Sequence, residues 1–532
     1  MIILGIGGIL NDAASAILRD GQLIAAVEES KLVRRGQVQP GRLPDQSIAM
    51  CLELACVRAE EVDCVAVVRP IPAAQESGLH LNLRARFPNS RMALIDHHRA
   101  HAASAFYPSP FEEAQVLVLD RRGDFRCGSL WRAAGGQLLQ LEKELYLPDS
   151  LGELYGRVSE LLGFHAGADE HKVQWMSVDG EDSYRDLFLE IMRHAPGEWP
   201  RLDRSYFDSE SATHGGFSAK FFERLSLSES RAQGAAISNA ERAAIAAGLQ
   251  NAIEATVLEM AGAGVNLCFA GGLAMNALLV EALESSEELS GVFVQPAGGN
   301  AGTALGAVLE AWHGVCRERQ RLPLGNLCLG PSYSAEQVKQ VLENCKLRFR
   351  YLLTNEELID TAVASLSDHK IVAWMHGRME FGPRALGNRS ILASPLDSYA
   401  AENLNTYIKH RELFRKFAAS VPAELASEYF DVGPNARFLA TVGHVREQYR
   451  KCFEAAILAG DLVRVHAVSE SDNPLYWKLL HAAGKKTGFP VLYNTSFNLF
   501  GEPLVCTPRD AVRSFYSSGI DAIFIGNFLL QK

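Results

Sequence analysis

No uninterrupted apolar run in the chain approaches the ~18 residues needed to cross a bilayer, so no membrane span is expected. An excess of basic residues is also missing. Against 63 Asp and Glu stand 52 Lys and Arg, for a net charge of -11. Broad nucleic-acid binding needs a basic face, so a nucleic-acid partner is not expected. No two cysteines are spaced as CxxC, and the ten are scattered. That pattern fits reduced thiols in a cytosol better than a disulfide frame or a zinc knuckle. No low-complexity tract interrupts the chain. The first ten residues, MIILGIGGIL, lack a basic leader and run into polar Asn11-Asp12. They read as a buried strand and not as a signal peptide, and a cytoplasmic location is the expectation. What remains is a 532-residue chain, 48% hydrophobic and 22% charged, long enough for two or more globular domains.

Two segments share one design. In 2–30 an apolar strand meets Gly5, Gly7 and Gly8, passes Asn11-Asp12, re-enters as AASAIL, turns at Asp20-Gly21 and returns as LIAAVEE. In 115–144 an apolar strand ends at Asp120, passes Gly123-Asp124, re-enters as CGSLWRA, turns at Gly135-Gly136 and returns as LLQLEKE. Each predicts a strand, a tight acidic turn and a hairpin. Such turns aim N–H groups and a carboxylate at one point, which suits phosphate and a metal ion. Ordinary hairpins also contain Gly-Asp turns, but two copies suggest a duplicated fold. A third element, 265–283, predicts a buried strand, Gly271-Gly272 and a helix whose N-terminus favours anions. A fourth, 292–312, repeats strand, glycine turn and small-residue helix. The whole resembles the actin–hexokinase–chaperone superfamily of nucleotide-binding folds. Pro and Gly punctuation around 313–350 sets a domain boundary near 330, followed by helices predicted over 335–347, 355–366 and 475–487 and strands over 370–375, 489–493 and 521–526.

The run IDHHRAHAASAF places His97, His98 and His101 within five residues. His97 and His101 are four apart and share one face of a helix, as ligands of one ion would; a polar helix end reads equally well from this segment alone. The back third concentrates cations. Arg378, Arg384 and Arg389 lie around Gly382-Pro383 and Gly387-Asn388, Lys409, Arg411, Arg415 and Lys416 are interleaved with Phe414 and Phe417, and Arg464 stands alone after an apolar pair. Ser496 and Asn498 precede a Gly-Glu-Pro turn. A basic helix face exposed to water explains the 408–416 run alone. Arg384, directly after Gly-Pro and among apolar residues, is poorly placed for that. Guanidinium groups grip phosphate with two bonds and stay charged, so the cluster suits a triphosphate or an acyl phosphate.

HHRAHAASAF, FAGGLAMN, QPAGGNAGTALGA, GRMEFGPRALGNRSIL, IKHRELFRKFAAS and GFPVLYNTSFNLFGEPLVCTPRDA, in this order, resemble the nodulation- and antibiotic-type carbamoyltransferases. The resemblance implies an α/β fold: an actin-like (ribonuclease H-like) domain over 1–330, similar to the tRNA threonylcarbamoyltransferase subunit, and a YrdC-like domain over 331–532. It implies that the second domain makes carbamoyl adenylate from carbamoyl phosphate and ATP. The first then hands the carbamoyl group to a hydroxyl or amine of a small molecule or peptide, in secondary metabolism such as antibiotic biosynthesis. By the same resemblance Arg384, Lys409, Arg415, Arg464, Ser496 and Asn498, with Arg411 less firmly, bind carbamoyl phosphate and nucleotide. His97, His101 and the residue at Asn300 hold a divalent ion (Fe, Mn, Zn or Mg). Gly271, Gly272 and Asn276 face nucleotide, and Asp120, Glu170 and Lys172 line that site. A homodimer is compatible with the sequence, which does not require one.

This chain departs from the pattern at the transfer site. Asn11-Asp12 stands where the family usually has His-Asp, and a carboxamide cannot take a proton near neutral pH. Asn300 replaces an Asp ligand and offers a neutral oxygen. Arg121 and Arg122 follow Asp120 where small residues are usual, and Lys416 replaces a Pro. Three readings stay open. The first is an active carbamoyltransferase with a shifted acceptor or metal requirement and Asp12 as fallback base. The others are a catalytically impaired homologue supporting a partner enzyme, and a kinase-like enzyme of the actin-like fold.

Overall fold

The computed structural model describes every residue except 35–39, 72–75, 194, 196, 209–215, 228–236, 398, 413 and 500. The fold is mixed α/β. It divides into two compact units, one made of Met1–Pro108 with Asn300–Lys532 and the other of Ser109–Gly299. The expected division near residue 330 lies inside the first unit.

The first unit opens with the hairpins read from the sequence. Strands β1 (Ile2–Gly7), β2 (Ala14–Arg19), β3 (Gln22–Glu28), β4 (Cys64–Val68) and β5 (Arg91–Ile95) form one sheet in the order β3-β2-β1-β4-β5. β1 and β2 are antiparallel, whereas β1, β4 and β5 run parallel. The Asp20-Gly21 turn closes β2 onto β3 with both residues at positive φ, 48° and 81°. In the second unit β6 (Ala114–Gly123), β7 (Arg126–Ala134), β8 (Gln137–Tyr146), β9 (Asn266–Ala270) and β10 (Gly291–Val294) take the order β10-β9-β6-β7-β8. Read from its first strand outward, this is the same topology: a hairpin pair on one side and two parallel strands on the other. The paired acidic-turn segments are therefore copies of one architectural plan. β6 runs on to Gly123, three residues past the expected end at Asp120.

The remainder of the first unit holds a ten-stranded sheet. Its members are β11 (Arg350–Tyr351), β12 (Val372–Met375), β13 (Arg389–Ala393), β14 (Ala418–Pro422), β15 (Phe430–Asp431), β16 (Val442–Val445), β17 (Leu462–Val468), β18 (Leu492–Ser496), β19 (Ala522–Ile525) and β20 (Phe528–Gln531). The order is β11-β20-β19-β12-β13-β18-β14-β17-β16-β15. The predicted helices are present as Ala335–Asn344, Asn355–Ser367 and Pro474–Thr487. Their ends follow from capping. Ser334, Thr354 and Asn473 each accept a first-turn N–H, and Gly488 at φ 75° stops the third.

Period-two alternation divides the residues of the large sheet between its two faces. Ala419, Val421, Val463, Val465 and Tyr493 point into one buried core. Their neighbours Ala418, Arg464, Asn494 and Ser496 therefore point to the other face. The helix Pro474–Thr487 covers only part of that face, through Tyr476, Leu479 and Leu480 against Leu492 and Val468.

Candidate active site

The polar end of that face assembles residues scattered from Arg384 to Asn498. Ala418 is directly opposite Arg464 on β17 and directly opposite Asn494 on β18, so these three side chains lie in a row on one side. Ser496 follows two residues along β18. The methyl group of Ala418 keeps the row open between its two polar neighbours.

Lys409 and Arg411 reach the row from a π-helical turn, Asn403–Lys409, which the chain leaves through His410 at φ 46°. The basic-helix reading of 408–416 thus fails locally: past Lys409 the chain is not helical. Lys409 is buried at 5% exposure. Its Nζ donates to Asn498 Oδ1 at 2.7 Å, to the Asn498 carbonyl at 2.9 Å and to the Ser496 carbonyl. Ser496 Oγ donates to Asn498 Oδ1 at 2.8 Å. Arg411 lies over the Phe417 ring at 4.7 Å and donates through Nε to Asn405 Oδ1 at 2.7 Å. Arg415 meets Glu412 at 3.6 Å. Arg384 arrives on the loop between β12 and β13, which wraps around the buried Glu380. One carboxylate oxygen of Glu380 accepts the N–H groups of Leu386, Asn388 and Arg389 at 2.8, 2.9 and 3.0 Å.

These cations depress one another. Burial first, and then neighbouring positive charge, lowers the pKa of Arg384 to about 10 and of Arg411 to about 9, with Arg415 the repelling neighbour in both cases. Lys409 is pushed well down by burial, Arg411 and Arg415; Arg464 is pushed well down by burial, Arg384, Arg411 and Arg415. Four guanidinium groups and an ammonium therefore share one recess while the guanidinium groups keep partial water contact. Such an arrangement costs folding free energy and suits a polyanion bound through its oxygens. The seven family-matched residues of the back third are brought together here, whereas Arg378 and Arg389, read into the same cluster from sequence, donate to backbone carbonyls instead, Arg378 to Gly330 and Ile24 and Arg389 to His376 and Pro331.

The front candidates gather in two places. Where the parallel strands of the first sheet finish, β1 leads into the turn carrying Asn11 and Asp12, both exposed, with Asp12 at φ 59°. β5, parallel to β4 and so to β1, finishes at the same end and enters the helix His97–Phe106. Asp96 caps that helix by accepting the Arg99 N–H at 2.9 Å. His97 and His101 are buried, and their ring centroids lie 4.7 Å apart. His97 Nδ1 sits 3.2 Å from the Arg69 carbonyl. Donation from Nδ1 to that carbonyl puts the ligand lone pair on Nε2. Asn300 opens a short turn, Asn300–Gly302, ahead of the helix Thr303–Glu310. A side chain at Gly7 would strike Thr303, and one at Gly306 would strike the Ala100 carbonyl. Backbone-to-backbone approach thus seats this helix on β1 and on the histidine helix.

In the second unit, Gly271 at φ 95° abuts Leu119, and a Cβ on Gly272 would lie 3.2 Å from Asp120 Oδ1. The acidic turn and the double-glycine turn are therefore neighbours. A short turn, Gly272–Met275, intervenes before the helix Ala277–Glu284, so the glycines do not open the helix directly. Asn276 caps that helix and exchanges bonds with Gln250, which accepts from the buried Tyr155 hydroxyl at 2.8 Å. Arg121 and Arg122 converge on Glu153, at 2.8 and 2.9 Å. Glu170 accepts from the Gly167 N–H, and Lys172 pairs with Asp169 at 3.2 Å. Glu380, Asn405, Glu153 and Gln250 were missed by sequence reading. Glu380 lies within the most specific motif and Asn405 four residues before Lys409; their partners are only six to ten residues away, but lie in irregular loops where no periodic pattern signals which side chain folds back.

Comparison with known proteins matches residues 76–309 to the carbamoyltransferase N-terminus family and residues 363–532 to the carbamoyltransferase C-terminus family. The chain is 32% identical to an uncharacterised protein of Synechocystis sp. over 100% of this chain and 96% of that one. It is 32% identical to nodulation protein NolNO of Sinorhizobium fredii over 98% of this chain and 79% of that one. A 34% identical stretch covers 32% of this chain and 33% of the 3'-hydroxymethylcephem-O-carbamoyltransferase of Amycolatopsis lactamdurans. With both family regions matched in order and one named nodulation relative aligned over 98% of this chain, the chain belongs to the carbamoyltransferase family.

Proposed function

We propose that this enzyme makes carbamoyl adenylate in its C-terminal part, residues 331–532 with a YrdC-like role. We further propose that it transfers the carbamoyl group, in its actin-like part, residues 1–330, to a hydroxyl or amine acceptor of secondary metabolism. The observation that carries this reading is the crowding of Arg384, Lys409, Arg411, Arg415 and Arg464 on one sheet face. Carbamoyl phosphate loses its phosphate to water, giving carbamate. A carbamate oxygen then attacks the α-phosphorus of ATP, and the bond to pyrophosphate breaks. The cations offset charge on the entering phosphates and on departing pyrophosphate. Lys409, held by Asn498 and the Ser496 carbonyl, aims its charge without a search over rotamers. The acceptor nucleophile next attacks the carbamoyl carbon and AMP leaves. The acceptor proton goes to Asp12, since Asn11 cannot hold it. The duplicated hairpin topology supports the actin-like assignment, and Asp120, Gly271, Gly272, Glu170 and Lys172 would line its nucleotide site.

Buried His97 and His101 fit a divalent ion, with Asn300 as a neutral oxygen donor, because His97 already directs Nδ1 at a carbonyl. When bound, the ion would supply Lewis-acid polarisation of the reacting group. The deciding experiment supplies carbamoyl phosphate and ATP and measures pyrophosphate with and without acceptor. Pyrophosphate release supports the reading. Release of ADP alone would assign a kinase, and no turnover with no bound metal would assign an impaired homologue acting through a partner subunit.

A further inference from the structure

A buried ion pair, Glu28–Lys31, lies on the segment that follows the first hairpin, and the proposed mechanism does not use it. Both residues are 7% exposed, and Lys31 Nζ lies 2.8 Å from Glu28 Oε1. The pair grips the loop that carries Arg384. Lys31 Nζ donates to the Glu380 carbonyl at 2.9 Å and the Gly382 carbonyl at 2.8 Å. The Gly382 N–H donates to Glu28 Oε1 at 2.8 Å. Both backbone polar groups of Gly382 are thus taken by one ion pair. Gly382 is at φ 95°, Pro383 fixes the next φ, and Arg384 follows.

The same segment has a second arm. Arg34 donates to the Leu504 carbonyl at 3.0 Å and to Glu502 at 3.1 Å, and pairs with Asp510 at 3.2 Å. The Glu502 carbonyl accepts from Asn498 Nδ2 at 2.7 Å, and Asn498 Oδ1 in turn accepts from Lys409. The segment is anchored behind. The Glu29 N–H donates to the Ala13 carbonyl at 2.9 Å, and the Glu29 carboxylate accepts from the Gln46 and Ser47 N–H groups at 3.1 and 2.7 Å.

We propose that Glu28 and Lys31 are positioning residues for anion binding, holding the Gly382-Pro383-Arg384 turn so that Arg384 is pre-aimed at the phosphate groups of the bound substrate; this rests on the adenylation reading above. Stability alone does not account for the pair. Two buried charges cost desolvation that apolar residues of like volume would avoid, so their contribution is geometric. Arg384, repelled by Arg415, would relax outward if its loop were loose. A fixed loop keeps the charge in place before the anion arrives and spares the ordering cost at binding.

The test is calorimetric binding of inorganic pyrophosphate to the full chain, comparing wild type, the double variant Glu28→Gln/Lys31→Met, Arg384→Gln, and all three changes together. The double variant is expected to melt cooperatively and to bind pyrophosphate about tenfold more weakly. The triple variant is expected to bind no more weakly than Arg384→Gln alone, because a residue acting through Arg384 has nothing left to position. Wild-type affinity in the double variant, or fully additive losses in the triple, would overturn the inference. If the double variant does not fold, Glu28→Gln alone replaces it in both comparisons under the same criteria. A wild-type chain that ignores pyrophosphate would overturn the adenylation reading, and this inference with it. A wild-type chain that binds while the double variant matches it overturns this inference alone.

Discussion

Lys409 and Asn498 are 89 residues apart in sequence, yet Lys409 Nζ donates to both the side-chain and the main-chain oxygen of Asn498, at 2.7 and 2.9 Å. The ammonium is thereby fixed among oxygens on one side and guanidinium groups on the other. Its charge is aimed, but it is also expensive, and the expense is measurable.

Burial, Arg411 and Arg415 push the Lys409 pKa down from its ordinary 10.5. The native chain therefore sheds a proton that the unfolded chain still holds. Between the depressed pKa and 10.5, stability of the anion-free protein rises with pH. A bound polyanion reverses the depression, so binding should take up protons in that window. ATP binding at pH 9, measured in two buffers of different ionisation enthalpy, should show this uptake. Arg411, lowered to about 9, contributes to the same uptake, so Lys409→Met should reduce it without abolishing it and weaken ATP by about tenfold or more. Heats independent of buffer would reject this account.

Glu254, on the helix Asn239–Ala261, has its pKa raised to about 7, by burial first and then by Glu281 and Asp182. Native Glu254 keeps a proton that the unfolded chain loses above pH 4.5, so stability falls as pH rises from there to about 7. Glu254→Gln should remove that dependence and stabilise the protein at pH 8 by about 2 kcal/mol. Melting midpoints across pH 5 to 8, for variant and wild type, are the measurement; parallel curves would refute it.

Gly306 meets the carbonyl of Ala100, where any Cβ would collide. Gly306→Ala must push the helix Thr303–Glu310 away from the histidine helix. A loss of about 2–3 kcal/mol is expected from denaturant titration. Divalent-ion content, read by elemental analysis, should fall with it. Unchanged stability would show that these helices can separate without cost.

Under the proposed metal assignment, Asn300→Asp supplies a charged oxygen donor in place of a neutral one. Metal occupancy after purification should rise several-fold, and resistance to chelator should rise with it. Equal occupancy in the two proteins would place the ion elsewhere.

Much of the architecture was legible because it is local. Both acidic-turn hairpins, the helix at His97, the strand–glycine–helix elements and the three late helices follow from apolar period, turn residues and caps near each other in sequence. The basic run 408–416 misled by the same logic. Its spacing suits a helix, but beyond Lys409 Asn405 holds the chain instead, bonded to Arg411 and to the Arg415 carbonyl at 2.7 and 3.3 Å.

The amino-acid order by itself determined the family and the concentration of cations in the back third, since these depend on short motifs. Tertiary structure alone decided that Arg464, Asn494 and Ser496 share a sheet face across Ala418, that Glu380 gathers the Arg384 loop, and that Glu28 and Lys31 clamp it. Strand register and buried hydrogen bonds join residues up to hundreds of positions apart, and no local pattern encodes which distant partner completes each one.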